Sequence, residues 1–172
     1  SFHIPYYSVI SDNKDFTFMP RFYKGEKILL QSEYRSVNAK TNNVIDFSFF
    51  NEKNNSNKSH FFSNTSRKLD FNNFEESELS LKLEHTSNDT YLKTYKLKSP
   101  IINEVNTLSS SIEISAYRED LSFSTNFQVY ETLNGSNNDR YEFIYPNYNL
   151  LKRFKNPTKL NGNFLFNSSG FF

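Results

Sequence analysis

The chain has 172 residues, enough for one domain with its own core, and a formal net charge of +1. Its near-neutral charge gives no basis for a nucleic-acid partner, and the absence of cysteine excludes disulfides and thiolate metal sites within it. Aromatic residues make up 17% of the chain, yet the mean hydropathy is −0.70. This combination is typical of strands with one apolar and one polar face.

The first 37 residues predict three extended segments, over 2–9, 15–23 and 27–37. In the second segment, Phe16 and Phe18 alternate with Thr17 and Met19, which places the aromatic and the polar side chains on opposite faces of a strand. Asp and Asn at 12–14 and Gly25 suit turn conformations. Two short turns between alternating segments predict a meander of neighbouring antiparallel strands.

Alternation continues through the rest of the chain. We predict strands over 44–50, 60–66, 78–86, 108–118, 121–131, 140–145 and from 160 onward. Pro146 is expected to end a strand, and residues 147–157 read as irregular. The composition of 91–98 permits a short helix, and the Asn/Lys/Ser-rich 51–59 reads as an exposed loop. The sequence therefore predicts an all-β protein of about eight to ten antiparallel strands.

Two architectures fit this pattern. Several segments reach the 9–11 residues of a tilted membrane-spanning strand, and their polar faces suit a wet lumen, as in part of a transmembrane β-barrel. A soluble β-sandwich with one wet face on each sheet gives the same alternation. From the pattern alone, the sandwich stands slightly ahead. No apolar run approaches the ~20 residues that a membrane helix needs.

The motifs of common catalytic sites are absent from the sequence. There is no phosphate-binding Gly-rich loop, no GxSxG and no HExxH. His3, His60 and His85 match no metal-ligand spacing, so each is expected to be a polar surface or lumen residue. The carboxylates are read as solvated faces and turns. We therefore expect no catalytic residues, no metal and no cofactor.

Two prolines interrupt the first two segments. Pro5 and Pro20 each remove a backbone donor, so each belongs at a sheet edge, a bulge or a strand start. They could serve only to protect an edge from aggregation. Alternatively, they could weaken the pairing of two neighbouring strands for a functional reason. Edge protection is the simpler explanation from the residues alone.

The stretch IPYYSVISDNKDFTFMPRFYKGEKILLQSEYR resembles the start of the β-barrel of LptD, the lipopolysaccharide assembly or organic solvent tolerance protein family. The residues that carry the resemblance are Pro5, Tyr6, Tyr7, Asp15, Thr17, Pro20, Arg21, Gly25, Leu30, Glu33, Tyr34 and Arg35. Further along, HTSNDTYLKTYKL, LSFSTNFQVYE and NDRYEFIYPNYNL are similar to later segments of that family, most like its alphaproteobacterial members. The resemblance covers nearly all of the chain.

The resemblance implies a 26-stranded barrel in the outer membrane of a Gram-negative cell. Such a barrel inserts lipopolysaccharide into the outer leaflet through a lateral gate between its first and last strands. Its implied partners are lipopolysaccharide, outer-membrane lipid, an LptE-like plug lipoprotein and a periplasmic Lpt bridge that docks on a separate jellyroll domain. Pro5 and Pro20 match the gate prolines of the family, which favours a functional role for them.

We expect residues 1–172 to be a partial barrel domain of this kind. The jellyroll, the later strands and the other edge of the gate are missing from the sequence. The chain also starts at Ser1 and ends with Phe171 and Phe172. For these reasons we expect a piece of a longer protein or a degenerate copy. The alternative function is that of a soluble secreted or periplasmic binding module with a β-sandwich fold.

Overall fold

The fold is described from a computed structural model, which defines residues 2–24, 27–51, 57–134, 139–155 and 162–171. These residues form eleven strands and one short helix. The strands are β1 Phe2–His3, β2 Tyr6–Ser11, β3 Lys14–Tyr23, β4 Lys27–Val37, β5 Thr41–Phe50, β6 Lys58–Lys68, β7 Glu76–Thr86, β8 Thr107–Arg118, β9 Leu121–Thr132, β10 Tyr141–Phe154 and β11 Phe164–Gly170, and the helix is α1 Tyr91–Thr94.

All eleven strands belong to one antiparallel sheet. From β3 to β11 each strand pairs with the next one along the chain, and both β1 and β2 pair with β3. The predicted all-β meander is therefore confirmed, with a single sheet in the described part of the chain. There the two edges of the sheet, β1/β2 and β11, do not pair with each other, so the sheet is open.

The register places side chains of the same face opposite one another in neighbouring strands. Phe18, Ser32, Phe47 and Phe61 lie opposite one another across β3 to β6. Because side chains on one strand point alternately to the two faces, this row belongs to one face, and the residues next to each member belong to the other. A shift by one residue would exchange the two faces, so the pattern fixes the register.

Burial is inverted relative to a soluble sheet. The mostly apolar face is exposed: Phe47, Phe49 and Phe61 keep 42–45% of their surface accessible. The polar face is the covered one, because Gln31 and Asp46 are fully buried on it. The chain thus places its aromatic rows outward and its polar rows inward. We call these two surfaces the apolar face and the polar face.

The polar face is covered by the connection between β7 and β8. This connection, residues 87–106, contains α1, and we call it the insert. Its buried residues Tyr91, Leu92, Leu97 and Ile101 pack with the sheet in one apolar cluster. The other members of this cluster are Leu29, Phe50, Phe62, Leu108 and Leu133. The insert therefore supplies nearly half of the only apolar cluster formed by buried residues in the described ranges.

Several predicted boundaries are wrong for identifiable reasons. Pro146 does not end a strand, since β10 continues to Phe154 past a register shift between Ile144 and Asn147. A bulge accommodates the missing donor of a proline, so residues 147–154 remain in the sheet. The strand β5 already begins at Thr41, whereas the short helix permitted by the composition of 91–98 is present at Tyr91–Thr94. The predicted turn at Gly25, most of the 51–59 loop and residue 160 lie outside the described residues.

Candidate functional site

The first candidate site is a polar network on the polar face beneath the insert. The register of β4, β5 and β6 places Gln31 opposite Ser48 and Ser48 opposite His60. Asp46 lies two residues from Ser48 on the same strand and therefore on the same face. All four side chains are buried or nearly so. Sequence alternation and hairpin register thus bring together residues that lie up to 29 positions apart.

His60 is the centre of the network. Its Nε2 lies 3.2 Å from the Asp46 carboxylate and its Nδ1 lies 2.7 Å from the Ser48 hydroxyl. A carboxylate only accepts, so the His60 Nε2–H donates to Asp46, while Nδ1 bonds the Ser48 hydroxyl. The Ser48 hydroxyl also bonds the Tyr91 hydroxyl at 2.8 Å. One continuous hydrogen-bond chain therefore joins the insert to β5 and β6.

Gln31 and Arg21 extend this network towards β3. The Gln31 amide donates to both oxygens of Asp46 at 3.2 Å and to the backbone carbonyl of Lys98 at 2.8 Å. Arg21 donates from Nη2 to the Gln31 side-chain oxygen at 3.0 Å and from Nη1 to the Tyr95 carbonyl at 3.3 Å. Through these hydrogen bonds, Arg21 and Gln31 connect strands β3, β4 and β5 to one another and to the insert.

The serine, histidine and aspartate have the composition of a hydrolytic triad, but their setting is different. The His60 and Asp46 side chains are completely buried, and Ser48 is 2% exposed. The Ser48 hydroxyl already bonds both His60 and Tyr91, and Phe62 stacks on the imidazole with its centroid 4.4 Å away. A nucleophile needs room for a substrate carbonyl beside it. With the insert in place, this trio anchors the insert.

A second set of contacts fixes the other side of the insert to the β9–β10 end of the sheet. Arg140 donates to Asp89 at 2.7 and 3.0 Å and to Glu131 at 2.6 Å. The hydrogen bond to Asp89 has the largest effect on the pKa of the Arg140 guanidinium and the bond to Glu131 the next largest, and both raise this pKa. Lys93 donates to Asn134 at 2.9 Å. The insert is therefore held by β3 to β6 on one side and by residues next to the ends of β9 and β10 on the other.

The second candidate site is the β1/β2 edge with its two prolines. Ile4 donates to the Pro20 carbonyl at 3.3 Å, so Ile4 and Pro20 form a hydrogen-bonded pair of the ladder. In such a pair both residues normally donate, but Pro20 has no N–H and the return bond to Ile4 is missing. Pro5 comes next, and on an antiparallel strand its nitrogen points away from β3 to the open edge. One proline thus weakens the first ladder, and the other removes a donor from the open edge.

Ionisation of the Tyr91 phenol at high pH gives a test of the polar network. Burial is the largest cause and raises the pKa of its phenol to about 12, while the hydrogen bond to Ser48 acts in the opposite direction. Because the pKa of Tyr91 is raised by docking, the protonated phenol stabilises the docked insert. This stabilisation is complete below pH ~10 and is lost as the pH rises towards 12.

We expect the Tyr91→Phe variant to remove one late tyrosinate from the absorbance titration at 295 nm and to lower stability at pH 8 by about 1 kcal/mol. Tyr145→Phe, at a side chain that is 57% exposed, is the matched control, because it also removes one phenol but leaves Tyr91 beneath the insert. If the two variants give the same alkaline difference curve, Tyr91 is not protected by the insert.

Sequence reasoning did not find the network, and it assigned His60 to a wet position. The spacing of Asp46, Ser48 and His60 matches no motif because they meet across a hairpin. The available signal was the register: if the 44–50 and 60–66 strands pair around their loop, Ser48 faces His60. Pro5 and Pro20 are brought together as predicted for neighbouring strands, but they lie apart from the network.

Comparison with known proteins does not assign this chain to a family. No protein-family model matches this chain, and a search of curated proteins gives no match. Within the described ranges, no helix has the length and apolarity needed to cross a membrane. The same residues contain no group of three or more His, Cys, Asp and Glu side chains placed to hold a metal ion.

Proposed function

We propose that this chain is part of an outer-membrane lipopolysaccharide transport protein that inserts lipopolysaccharide into the outer leaflet through a lateral gate. The observation that carries the proposal is the inverted burial. Strands of 10–12 residues hold Phe, Leu and Ile on an exposed face and Ser, Asn, Gln and charged residues on a covered face. An apolar band against lipid and a polar interior is the arrangement expected for a membrane β-barrel.

The proline edge supports the gate in this proposal. A lateral gate requires one strand boundary that opens more easily than the others. The β1/β2–β3 ladder lacks one of its bonds at Pro20, and Pro5 offers no donor to a strand approaching the edge. The proposed partners are lipopolysaccharide, outer-membrane lipid, an LptE-like plug and the periplasmic Lpt bridge.

A soluble sandwich is the competing proposal, and the sheet gives it less support. A sandwich buries its apolar faces between two sheets. Here the described residues form one sheet, which leaves Phe47, Phe49, Phe61 and Leu83 on the uncovered side, each 40–45% exposed. A solvated surface of that composition over several strands is an aggregation hazard. Lipid contact makes the same surface favourable.

Refolding with and without detergent tests the proposal. We expect the 172-residue chain to gain β-sheet circular dichroism and a sharp thermal transition in a mild detergent or a nanodisc, and to precipitate at neutral pH without one. A monomer that stays soluble and folded in buffer alone would overturn the membrane assignment and favour the sandwich module. Lys14→Ser, at an exposed position, is a control that should behave as the parent chain does.

A further inference from the structure

We infer that a polar cavity beside the insert binds a neutral saccharide. The cavity has a volume of about 390 Å³ and is lined by residues of β7, β8, β9 and the end of the insert. We call it the β7–β9 cavity. The saccharide chemistry rests on the lining of this cavity. Only the attachment of the sugar to a lipid, as a glycolipid headgroup, rests on the proposed function.

The β7 residues of the cavity belong to the polar face. Glu84 lies opposite Phe62, which packs with the insert. Lys82 is two residues from Glu84 on the same strand, so its side chain points to the same face. The register of β7 with β6 thus places a carboxylate and an ammonium at one wall of the cavity.

These two groups are held in fixed positions. The Lys82 ammonium lies 2.6 Å from the Glu84 carboxylate and donates to the Ser109 hydroxyl at 2.9 Å. The Ser109 backbone N–H donates to the Glu84 carboxylate at 2.7 Å. Glu84 is buried and therefore acts on Lys82, whereas Lys82 is partly exposed and can reach a ligand. An ammonium has three donors, so Lys82 retains one N–H for a ligand.

Strand β9 supplies the facing wall. Lys82, Ser111 and Gln128 form one row across β7, β8 and β9, which places Gln128 two strand spacings, or ~10 Å, from Lys82. Tyr130 lies opposite Ser109. The Gln128 and Tyr130 side chains are partly exposed. An amide and an aromatic ring therefore face the cavity at a distance from the ammonium that leaves room for a ligand.

The insert completes the cavity. Its residues Asn103 and Glu104 belong to the lining, and both are exposed. Directly after them, the Leu133 N–H donates to the Asn106 carbonyl at 2.8 Å, which fixes this end of the insert beside β9. The cavity therefore has its full lining only while the insert is docked, and a ligand in it contacts both the sheet and the insert.

The lining excludes several other ligand classes. Sites for apolar ligands are lined mainly by hydrophobic side chains, whereas no aliphatic residue is among the described residues that line this cavity. Glu84 and Glu104 outnumber Lys82, so an anion is disfavoured by charge. A peptide that binds as an added strand needs a free sheet edge, and β8 is paired on both sides.

A neutral sugar matches the groups that remain. Each sugar hydroxyl both donates and accepts, as do the amides of Gln128 and Asn103. Lys82 adds a donor and Glu104 an acceptor. The face of the Tyr130 ring carries negative partial charge, which suits the C–H face of a sugar ring. The volume lies at the lower end of the ~300–1,000 Å³ range of small-molecule sites, as expected for a mono- or disaccharide.

The test compares two double variants of the full chain. Gln128→Ala with Tyr130→Leu changes the cavity, and Asn147→Ala with Tyr145→Leu changes an exposed amide and an exposed phenol on β10. The chain is refolded in a zwitterionic detergent whose headgroup contains no sugar. The probes are maltose, cellobiose, lactose, a disaccharide with one uronic acid, and the same micelles containing dodecyl maltoside. Shifts of backbone amide signals in an NMR titration measure binding.

We expect the cavity variant to bind at least one neutral probe about tenfold more weakly than the parent, because it loses hydrogen bonds and a ring contact. The control variant should stay within about twofold, since its changes lie outside the cavity. If a free disaccharide loses affinity, the source is a free saccharide, and if only the micelle-held maltoside does, the source is a glycolipid headgroup. Both results support the cavity.

A charge variant gives an independent reading if the double variant does not fold. The parent should bind the uronic-acid disaccharide more weakly than the neutral disaccharides. Glu104→Gln, at an exposed position on the insert, should narrow that difference because it removes one of the two carboxylates. An unchanged difference would place the ligand away from Glu104 and overturn the inference.

Three further results would overturn it. They are the absence of amide shifts around the cavity with every neutral probe and with the maltoside micelles, equal losses in the two double variants, and tighter binding of the uronic-acid disaccharide than of the neutral ones. Failure of the proposed function has a different signature. A chain that is soluble and folded without detergent, yet still binds a free disaccharide through the cavity, would keep the saccharide site and lose the membrane role.

Discussion

Replacing Phe62 by alanine is expected to lower the free energy of unfolding by about 3–5 kcal/mol. The Phe62 ring is fully buried on the polar face, stacks on His60 at 4.4 Å and belongs to the apolar cluster with the insert. Its removal leaves a cavity between β6 and the insert that the network cannot close, because Asp46 and Ser48 already hold His60 in place. Urea unfolding of the detergent-refolded chain, followed by circular dichroism, measures the loss.

The neighbouring Phe61 supplies a matched control, since it has the same ring on the same strand but faces the other way. Phe61 is 45% exposed on the apolar face. Phe61→Ala should therefore cost about 1 kcal/mol or less, because detergent or lipid fills the space of the missing ring. If Phe61→Ala instead costs more than Phe62→Ala, then the apolar face is the buried one in solution, which is the opposite of the burial described for this sheet.

If the proposed function is right, replacing Pro5 and Pro20 is expected to slow lipopolysaccharide export in a protein that carries this chain as the start of its barrel. Pro20→Thr restores an N–H aimed at Ile4, and Pro5→Thr restores one aimed at the open edge. Each added backbone hydrogen bond is worth about 1 kcal/mol, or roughly fivefold in an opening equilibrium. Surface lipopolysaccharide in cells that depend on the variant protein measures the effect.

The control for the proline pair is Pro146→Thr, at the bulge of β10 and far from the first edge. It should leave export unchanged. In the chain alone, Pro20→Thr should slow hydrogen exchange of the Ile4 amide, while Pro5→Thr should not, since Pro5 points away from β3. Unchanged surface lipopolysaccharide together with slowed exchange at Ile4 would show that the ladder is stronger but that it is not a gate.

The sheet was predictable from sequence because alternation and turn residues act locally. Segments 15–23, 27–37 and 121–131 lie within β3, β4 and β9 almost residue for residue. The break at Ile4–Pro5 and the bulge at Pro146 were less predictable, because the effect of a proline depends on which side of the strand its nitrogen faces. That side is set by the register with a neighbouring strand and not by the residue itself.

The network beneath the insert was not predictable from local sequence. Tyr91 and Ser48 are 43 positions apart, and only docking of the insert brings their hydroxyls together. Composition correctly indicated a short helix near Tyr91, but it could not say which surface that helix would cover. His60 illustrates the same gap, since a histidine in a weakly alternating strand carries no sign that Phe62 and Tyr91 will enclose it.

The reach of the insert has a consequence for how the chain folds. Hairpins of the meander join residues that are close in sequence and form quickly, whereas Arg21 meets the insert carbonyls across 74 and 75 positions. Docking therefore has to wait until β3 to β6 are assembled, and it then ties those strands to Arg140 at the far end of the sheet. We therefore expect docking of the insert to be a late folding step that joins separately formed hairpins into one cooperative unit.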